Sequence, residues 1–83
     1  MAYRWEFNGS EEEADALHMP VDGQRALVAF MDALMFDPYE YARAKDEPVG
    51  RNMRFLAFGS GGQVVVLIDE RNDLVLIVSV TWV

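Results

Sequence analysis

The last third of the chain is the feature that most limits the possible folds. Three runs rich in Val, Ile, Leu and aromatic residues follow one another as Met53–Phe58, Gln63–Ile68 and Leu74–Val83. The linkers Gly59–Gly62 and Glu70–Asp73 consist of turn-forming residues, so the pattern predicts a three-stranded antiparallel meander. The last two runs are apolar on both faces, as in strands covered on two sides. One face can pack on helices, and the other needs a second cover.

The first twenty residues predict one strand and one short helix. Tyr3–Phe7 alternates aromatic and charged residues, which is typical of a half-buried strand. Ser10 and Glu13 have the spacing of a capping box, and the acidic residues between them favour a helix start. We expect this helix to end in Leu17–Pro20, because Pro20 cannot continue it.

A second helix is predicted from a cap at Asp22 to about Phe36. It has one apolar stripe at helical spacing, formed by Leu27, Phe30, Met31 and Leu34. Asp37-Pro38 ends it, and Tyr39–Gly50 predicts a short helical turn followed by a loop. The helices form a hairpin between the first strand and the meander, which makes the fold class α+β.

The length and the net charge of the chain exclude some classes of function. The chain has 83 residues, no cysteine and a formal net charge of −7. We expect a single domain over residues 1–83, with thin stability and no disulfide or thiolate site. A surface this acidic repels phosphate backbones, so free nucleic acid is not an expected partner. No signal peptide is recognisable and the longest apolar run has ten residues, so we expect a cytoplasmic protein that does not span a membrane.

Two motifs have both a binding and a structural interpretation. Gly59–Gly62 can present backbone amides to an anion, but it lacks a P-loop ending and precedes a strand, which favours a hairpin turn. Glu11, Asp15 and His18 share one face of an extended first helix and can approach a metal ion. Two carboxylates and one imidazole on a short helix make an incomplete site, so we expect no metal and no cofactor.

The basic residues are clustered. Four of the seven lie within twelve positions: Arg43, Lys45, Arg51 and Arg54. They predict either a cationic patch that meets a phosphate or an acidic peptide, or a solvated loop in which Arg43 and Lys45 neutralise Asp46 and Glu47. In the patch interpretation we expect Arg51 in the loop and Arg54 in contact with a partner.

The order of elements resembles that of the RelE/ParE toxin superfamily of bacterial type II toxin–antitoxin systems, over nearly the whole chain. The matching segments are Tyr3–Phe7, Glu11–Asp15, Leu17–Pro20, Asp37–Pro38, Arg54, Gly59 and Asp69–Glu70. This resemblance implies the strand, helix hairpin and meander already predicted. It also implies a toxin that is held by an antitoxin.

The resemblance leaves the activity open. RelE-type members are basic, ribosome-dependent mRNA endonucleases, whereas this chain has Gln63 where a strand arginine is usual and Thr81-Trp82 where a proton donor or acceptor is usual. Arg51 and Arg54 can supply charge and Glu47 a base, which is an incomplete catalytic set. ParE-type members act on DNA gyrase by protein–protein contact and need no such set.

Three hypotheses follow from the sequence. The first is a toxin-like component that acts, or is neutralised, by protein–protein contact, with a target such as gyrase or the ribosome. The second is a RelE-type endonuclease with a displaced site. The third is a catalytically inert α+β domain that forms a homodimer. In the first and third, the strands Val64–Ile68 and Leu74–Val80 are covered by an antitoxin or by a second copy of the chain.

Overall fold

The computed structural model describes residues 3–39 and 52–83. Its helices and strands are β1 (Arg4–Phe7), α1 (Ser10–Leu17), α2 (Val21–Leu34), β2 (Met53–Phe58), β3 (Gly62–Asp69) and β4 (Leu74–Trp82), with a 3-10 turn at Glu70–Asn72 between β3 and β4. The predicted α+β fold, with its helix hairpin and its meander, is confirmed. Most of the predicted stretch Tyr39–Gly50 lies outside the described residues.

The four strands form one mixed sheet in the order β1-β4-β3-β2. The meander β2-β3-β4 is antiparallel, and β1 pairs in parallel with β4 from Arg4 opposite Leu74 to Phe7 opposite Ile77. The first and last strands are therefore neighbours. The sequence predicted β1 as a strand but gave no position for it in the sheet.

The core lies between one face of the sheet and the two helices. The predicted stripe on α2 supplies Leu27, Met31 and Leu34, which are at most 2% exposed. Opposite them, the sheet contributes Leu56, Phe58, Val64, Val66, Val75, Ile77 and Val80. We call this side of the sheet the helix face and the other side the open face.

A β-bulge in β4 decides which residues reach each face. Val65 of β3 pairs with Ser79, but its neighbour Val66 pairs with Ile77, so Val78 has no partner of its own. A side chain changes face at every residue of a regular strand, and the extra residue shifts this alternation by one position. As a result Val80 continues the core, while Ser79 lies on the open face.

The structure corrects the predicted helix caps. Gly9 is the N-cap of α1 in an extended conformation and Ser10 is already helical, without a side-chain cap hydrogen bond, so the capping box is wrong. Pro20, not Asp22, occupies the N-cap of α2. The free carbonyls at the end of α1 are satisfied from α2, because the Gln24 amide donates to the oxygens of Leu17 (3.1 Å) and Met19 (2.9 Å).

Two glycines allow Trp82 to close the core at the end of β4. A Cβ on Gly23 would lie 3.1 Å from the indole, so a larger residue there would require the ring to shift by a few tenths of an ångström. Gly59 follows β2 with a φ of +59°, a left-handed conformation that favours glycine. Trp82 also packs on Phe58, with 5.8 Å between ring centroids. Neither helix in the described part of the chain is long and apolar enough to span a bilayer.

Candidate functional site

The open face of the meander is apolar, with hydrogen-bonding groups at one end. Strand register assigns to it Met53, Phe55 and Ala57 of β2, Gln63, Val65 and Leu67 of β3, and Leu76, Ser79 and Thr81 of β4. Phe55 is 49% exposed, which is high for a phenylalanine in a sheet. No described helix packs on this face, so the sequence-based expectation of an uncovered second face agrees with the structure.

A depression of about 350 Å³ lies at the end of the open face where Phe55, Gln63, Val65, Ser79 and Thr81 meet. Its polar groups are two hydroxyls and one amide, all uncharged. In the described residues, charged side chains on this face are confined to the opposite end of the sheet. Such a surface suits apolar and neutral hydrogen-bonding partners, and it does not neutralise a phosphate.

The charged end of the open face is internally paired. Arg4 of β1 lies 3.5 Å from the Glu6 carboxylate and donates a 3.2 Å hydrogen bond to the Asn72 carbonyl oxygen. Asp69 accepts from the side-chain amide of Asn72 at 2.8 Å and from its backbone, and these bonds lower the Asp69 pKa below its ordinary value. These charges stabilise the strand ends locally.

Arg54 lies on the other side of the sheet. It pairs with the fully buried Val66, which places it on the helix face of β2, and it is half-buried. Its guanidinium donates to the Met53 carbonyl oxygen at 2.8 Å. The other cluster members Arg43, Lys45 and Arg51, and the candidate base Glu47, lie outside the described residues. The cationic patch therefore stays a prediction, with Arg54 facing the helix side.

Tyr39 interacts with both Arg54 and Tyr3. Burial raises the pKa of Tyr39, the Glu70 carboxylate raises it further, and Arg54 opposes this effect. The Tyr39 hydroxyl has no hydrogen bond of ordinary length among the described residues. Burial likewise raises the pKa of Tyr3, and Glu70 is the largest charge acting on it. Both phenols therefore lose their protons at a higher pH than an ordinary tyrosine, and the sequence gave no indication of this interaction.

His18, the one histidine of the sequence, lies beside the end of β4. With Asp15 it lines a groove of about 400 Å³ that Thr81 and Trp82 complete. No group of three or more metal-ligating side chains forms in the described part of the chain, and Glu11 is not part of this groove. The Gly59–Gly62 segment forms the β2–β3 hairpin turn.

A second apolar surface, missed at the sequence level, follows β1. Trp5 donates its indole N–H to the Asp32 carboxylate of α2 at 3.0 Å, and it lines two separate hollows. The sequence signal for it is a set of large apolar residues off the buried stripe. These are Leu17, Val28 and Phe36, which are 64%, 46% and 87% exposed.

No protein-family model matches the sequence, and no curated protein matches it. Solved structures do match. One is a chain of the toxin–antitoxin complex RelBE2 from Mycobacterium tuberculosis, with a TM-score of 0.82, 18% identity and 100% coverage of both chains.

A second match is a free-state arginine mutant of the E. coli toxin RelE, with a TM-score of 0.81 and 15% identity. It covers 99% of this chain and 84% of the other. At these identities the likeness concerns the course of the backbone, over the whole length of the domain. The chain therefore has a RelE-like toxin fold.

Proposed function

We propose that this chain is the toxin-like component of a type II toxin–antitoxin system, that it resides in the cytoplasm, and that a cognate antitoxin binds it. The observation that carries the proposal is the full-length match to a chain of a toxin–antitoxin complex, with 100% coverage of both chains. Because the match covers both chains completely, it is not a chance likeness of a few helices or strands.

The chemistry of the described surface favours action by contact. The depression on the open face presents Gln63, Ser79 and Thr81 and no charged group. Cleavage of RNA without a metal needs a proton donor and acceptor and cations for the charged transition state. Ser and Thr hydroxyls do not titrate near neutral pH. A large apolar surface such as that around Phe55 is, in contrast, a common element of protein–protein interfaces.

The endonuclease alternative rests on Glu47, Arg51 and Arg54. Of these, Arg54 faces the helix side, so it does not supply a cation to an RNA on the open face. The homodimer alternative needs a second copy to cover the open face. Gyrase and the ribosome are the candidate targets, and the mRNA and supercoiling assays described below distinguish between them.

Growth of a bacterial host tests the proposal directly. The chain is expressed from an inducible promoter, alone and together with the protein encoded by the reading frame beside its gene. We expect arrested growth with the chain alone, normal growth with both, and co-purification of the two proteins as one complex. Normal growth in both strains, with no complex, would remove the toxin–antitoxin assignment.

RNA cleavage and action by protein–protein contact are then distinguished by mapping mRNA ends and by assaying gyrase supercoiling in the arrested cells. We expect no codon-positioned cuts. Cuts that disappear in Arg54→Ala would replace the contact mechanism with the endonuclease alternative. The matched control is Arg71→Ala, which removes an exposed arginine from the 3-10 turn.

A further inference from the structure

Two neighbouring hollows lie along β1, between this strand and the helix hairpin. The first, of about 150 Å³, is lined by apolar residues that include Trp5, Phe7, Leu17 and Val28. The second, of about 500 Å³, lies between Trp5 and the end of α2, where it reaches Phe36. Trp5 lines both hollows, and the surface that they form together is here called the β1 groove.

The β1 groove exposes large apolar side chains to water. Leu17 is 64% exposed, Val28 46% and Phe36 87%. Single exposed apolar residues are common on proteins, but a contiguous set around a groove marks an interaction surface. In this domain they lie outside the core stripe of α2, so packing within the described fold does not explain them.

The centre of the groove is rigid. The Trp5 indole is held by its hydrogen bond to Asp32 (3.0 Å) and by an edge-to-face contact with Phe7, with 5.7 Å between ring centroids. An aromatic ring fixed in this way loses little conformational entropy on binding. Preorganised aromatic residues of this kind are typical anchors of protein–protein interfaces.

The rim of the groove is acidic. Glu13 lines the first hollow and Asp32 the second. The two helices carry one basic residue, Arg25, against six acidic ones: Glu11, Glu12, Glu13, Asp15, Asp22 and Asp32. Arg4 also lines the second hollow, but its guanidinium is paired with Glu6. With one basic and six acidic residues, the two helices beside the groove carry a net charge of −5.

We propose that the β1 groove binds a partner-protein segment that is apolar on one side and rich in lysine and arginine on the other. Charge complementarity selects this occupant, because an acidic segment would be repelled by the rim. If the function proposed above is right, the segment belongs to the antitoxin. This antitoxin would then be basic at its contact, whereas the basic RelE-type toxins require the opposite sign.

The two kinds of contact act on different steps of binding. Charges on the rim are solvent-exposed and screened within about 8 Å at physiological salt, so they mainly set the association rate. The apolar side chains are desolvated on binding and mainly set the dissociation rate. The proposal therefore predicts that the association rate depends on salt concentration. The effect of Val28 on the dissociation rate should not depend on it.

The test uses the two tryptophans as reporters. The indole N–H signals of Trp5 and Trp82 are followed by NMR while the chain is titrated with three probes. These are the protein from the neighbouring reading frame and two synthetic twelve-residue peptides, one alternating Leu with Lys and one alternating Leu with Glu. We expect the neighbouring protein and the Leu–Lys peptide to shift the Trp5 signal. The Trp82 signal should stay in place, and the Leu–Glu peptide should have no effect.

Matched variants identify the surface. Val28→Asp in the groove and Val21→Asp at the start of α2 make the same change at two exposed valines of one helix, which are 46% and 61% exposed. We expect Val28→Asp to weaken binding at least tenfold and Val21→Asp to leave it unchanged. Glu13→Lys should slow association and flatten its salt dependence. Circular dichroism checks that each variant is folded.

The outcomes separate this inference from the proposed function. A Trp5 shift with the Leu–Lys peptide, without binding of the neighbouring protein, supports the groove and argues against the antitoxin assignment. Growth arrest with no Trp5 shift by any probe overturns the groove. Equal binding of both peptides, or equal loss of binding in Val28→Asp and Val21→Asp, also overturns it.

Discussion

Deletion of Val78 is a sharp test of the bulge in β4. Removing one residue from a central strand normally sends every following side chain to the wrong face. At Val78 we expect the opposite, because this residue has no partner on β3. Without it, Ser79 follows Ile77 in a regular strand, and Val80 still points into the core. The cost is the loss of one half-buried valine side chain, about 1 kcal/mol.

Deletion of Thr81 is the matched comparison, because no bulge absorbs it. If the bulge is kept, Trp82 turns away from Gly23 and Phe58, and loss of a packed tryptophan costs about 3–5 kcal/mol. If the bulge closes instead, Val80 leaves the core and a serine hydroxyl enters it, which also costs about 3 kcal/mol or more. A domain of 83 residues has a total stability of about 4–12 kcal/mol. Thr81 deletion should therefore leave little of it.

Urea unfolding followed by circular dichroism measures both variants. With a slope of about 1–3 kcal/mol per molar urea, the Thr81 deletion should move the midpoint by about 1 M or more. The Val78 deletion should stay close to Val78→Ala, which removes the side chain but keeps the residue. If the Val78 deletion is destabilised as strongly as the Thr81 deletion, the argument that Val78 is the extra residue is refuted.

Three further outcomes are expected at single side chains. Gly59→Ala should lower the free energy of unfolding by about 1–2 kcal/mol, because φ is +59° there and a Cβ would meet α2 at 3.0 Å; Ser60→Ala in the same turn is the control for urea unfolding. Gln24→Ala should cost about 1 kcal/mol and speed amide hydrogen exchange at the end of α1, since two carbonyls lose their donor; unchanged exchange would contradict this role. Tyr39 has a raised pKa in the folded state. Its contribution to the free energy of unfolding is therefore complete below pH 10 and is lost as the pH rises through the folded-state pKa. Tyr39→Phe should therefore flatten the loss of stability above pH 10 in thermal unfolding, and an unchanged alkaline slope would count against the burial of this phenol beside Glu70.

Local patterns predicted most of the elements. The stripe on α2 is visible because a helix that covers a sheet must present apolar residues at a spacing of three and four, as Leu27, Met31 and Leu34 do. The turn Gly59–Gly62 is visible because its glycines accept backbone angles that other residues avoid. Such signals are contained in a few neighbouring residues, so one sequence is enough to find them.

Features that depend on distant partners were not predicted. The parallel pairing of β1 with β4 joins residues about seventy positions apart, and nothing within Arg4–Phe7 specifies it. The bulge at Val78 is hidden because valine fits either face of an apolar strand. The face of Arg54 was equally open, since it depends on the register with Val66. The bond between Trp5 and Asp32 exists only once α2 lies on the sheet.

The capping box failed for a different reason. Ser10 and Glu13 have the right identities and spacing, but Gly9 supplies the extended residue that precedes the helix. The helix therefore begins one residue earlier than a serine cap requires, and Ser10 lies inside its first turn. Sequence motifs of this kind specify a possible cap, whereas the preceding turn decides which residue occupies it.

The acidity of this chain is compatible with the RelE-like fold because fold and charge are encoded on different surfaces. The fold depends on the helix face of the sheet, where residues such as Val66, Val75 and Ile77 are fully buried and carry no charge. The open face and the outer sides of the helices are free to change, and identities of 15–18% at TM-scores above 0.8 agree with this freedom. A net charge of −7 therefore does not argue against the fold, but it changes the partner that the fold can attract. On this argument a segment that binds the β1 groove should carry a charge opposite to that of α1. Reversing the charge of Glu13 should therefore alter the partner preference while the core stays intact.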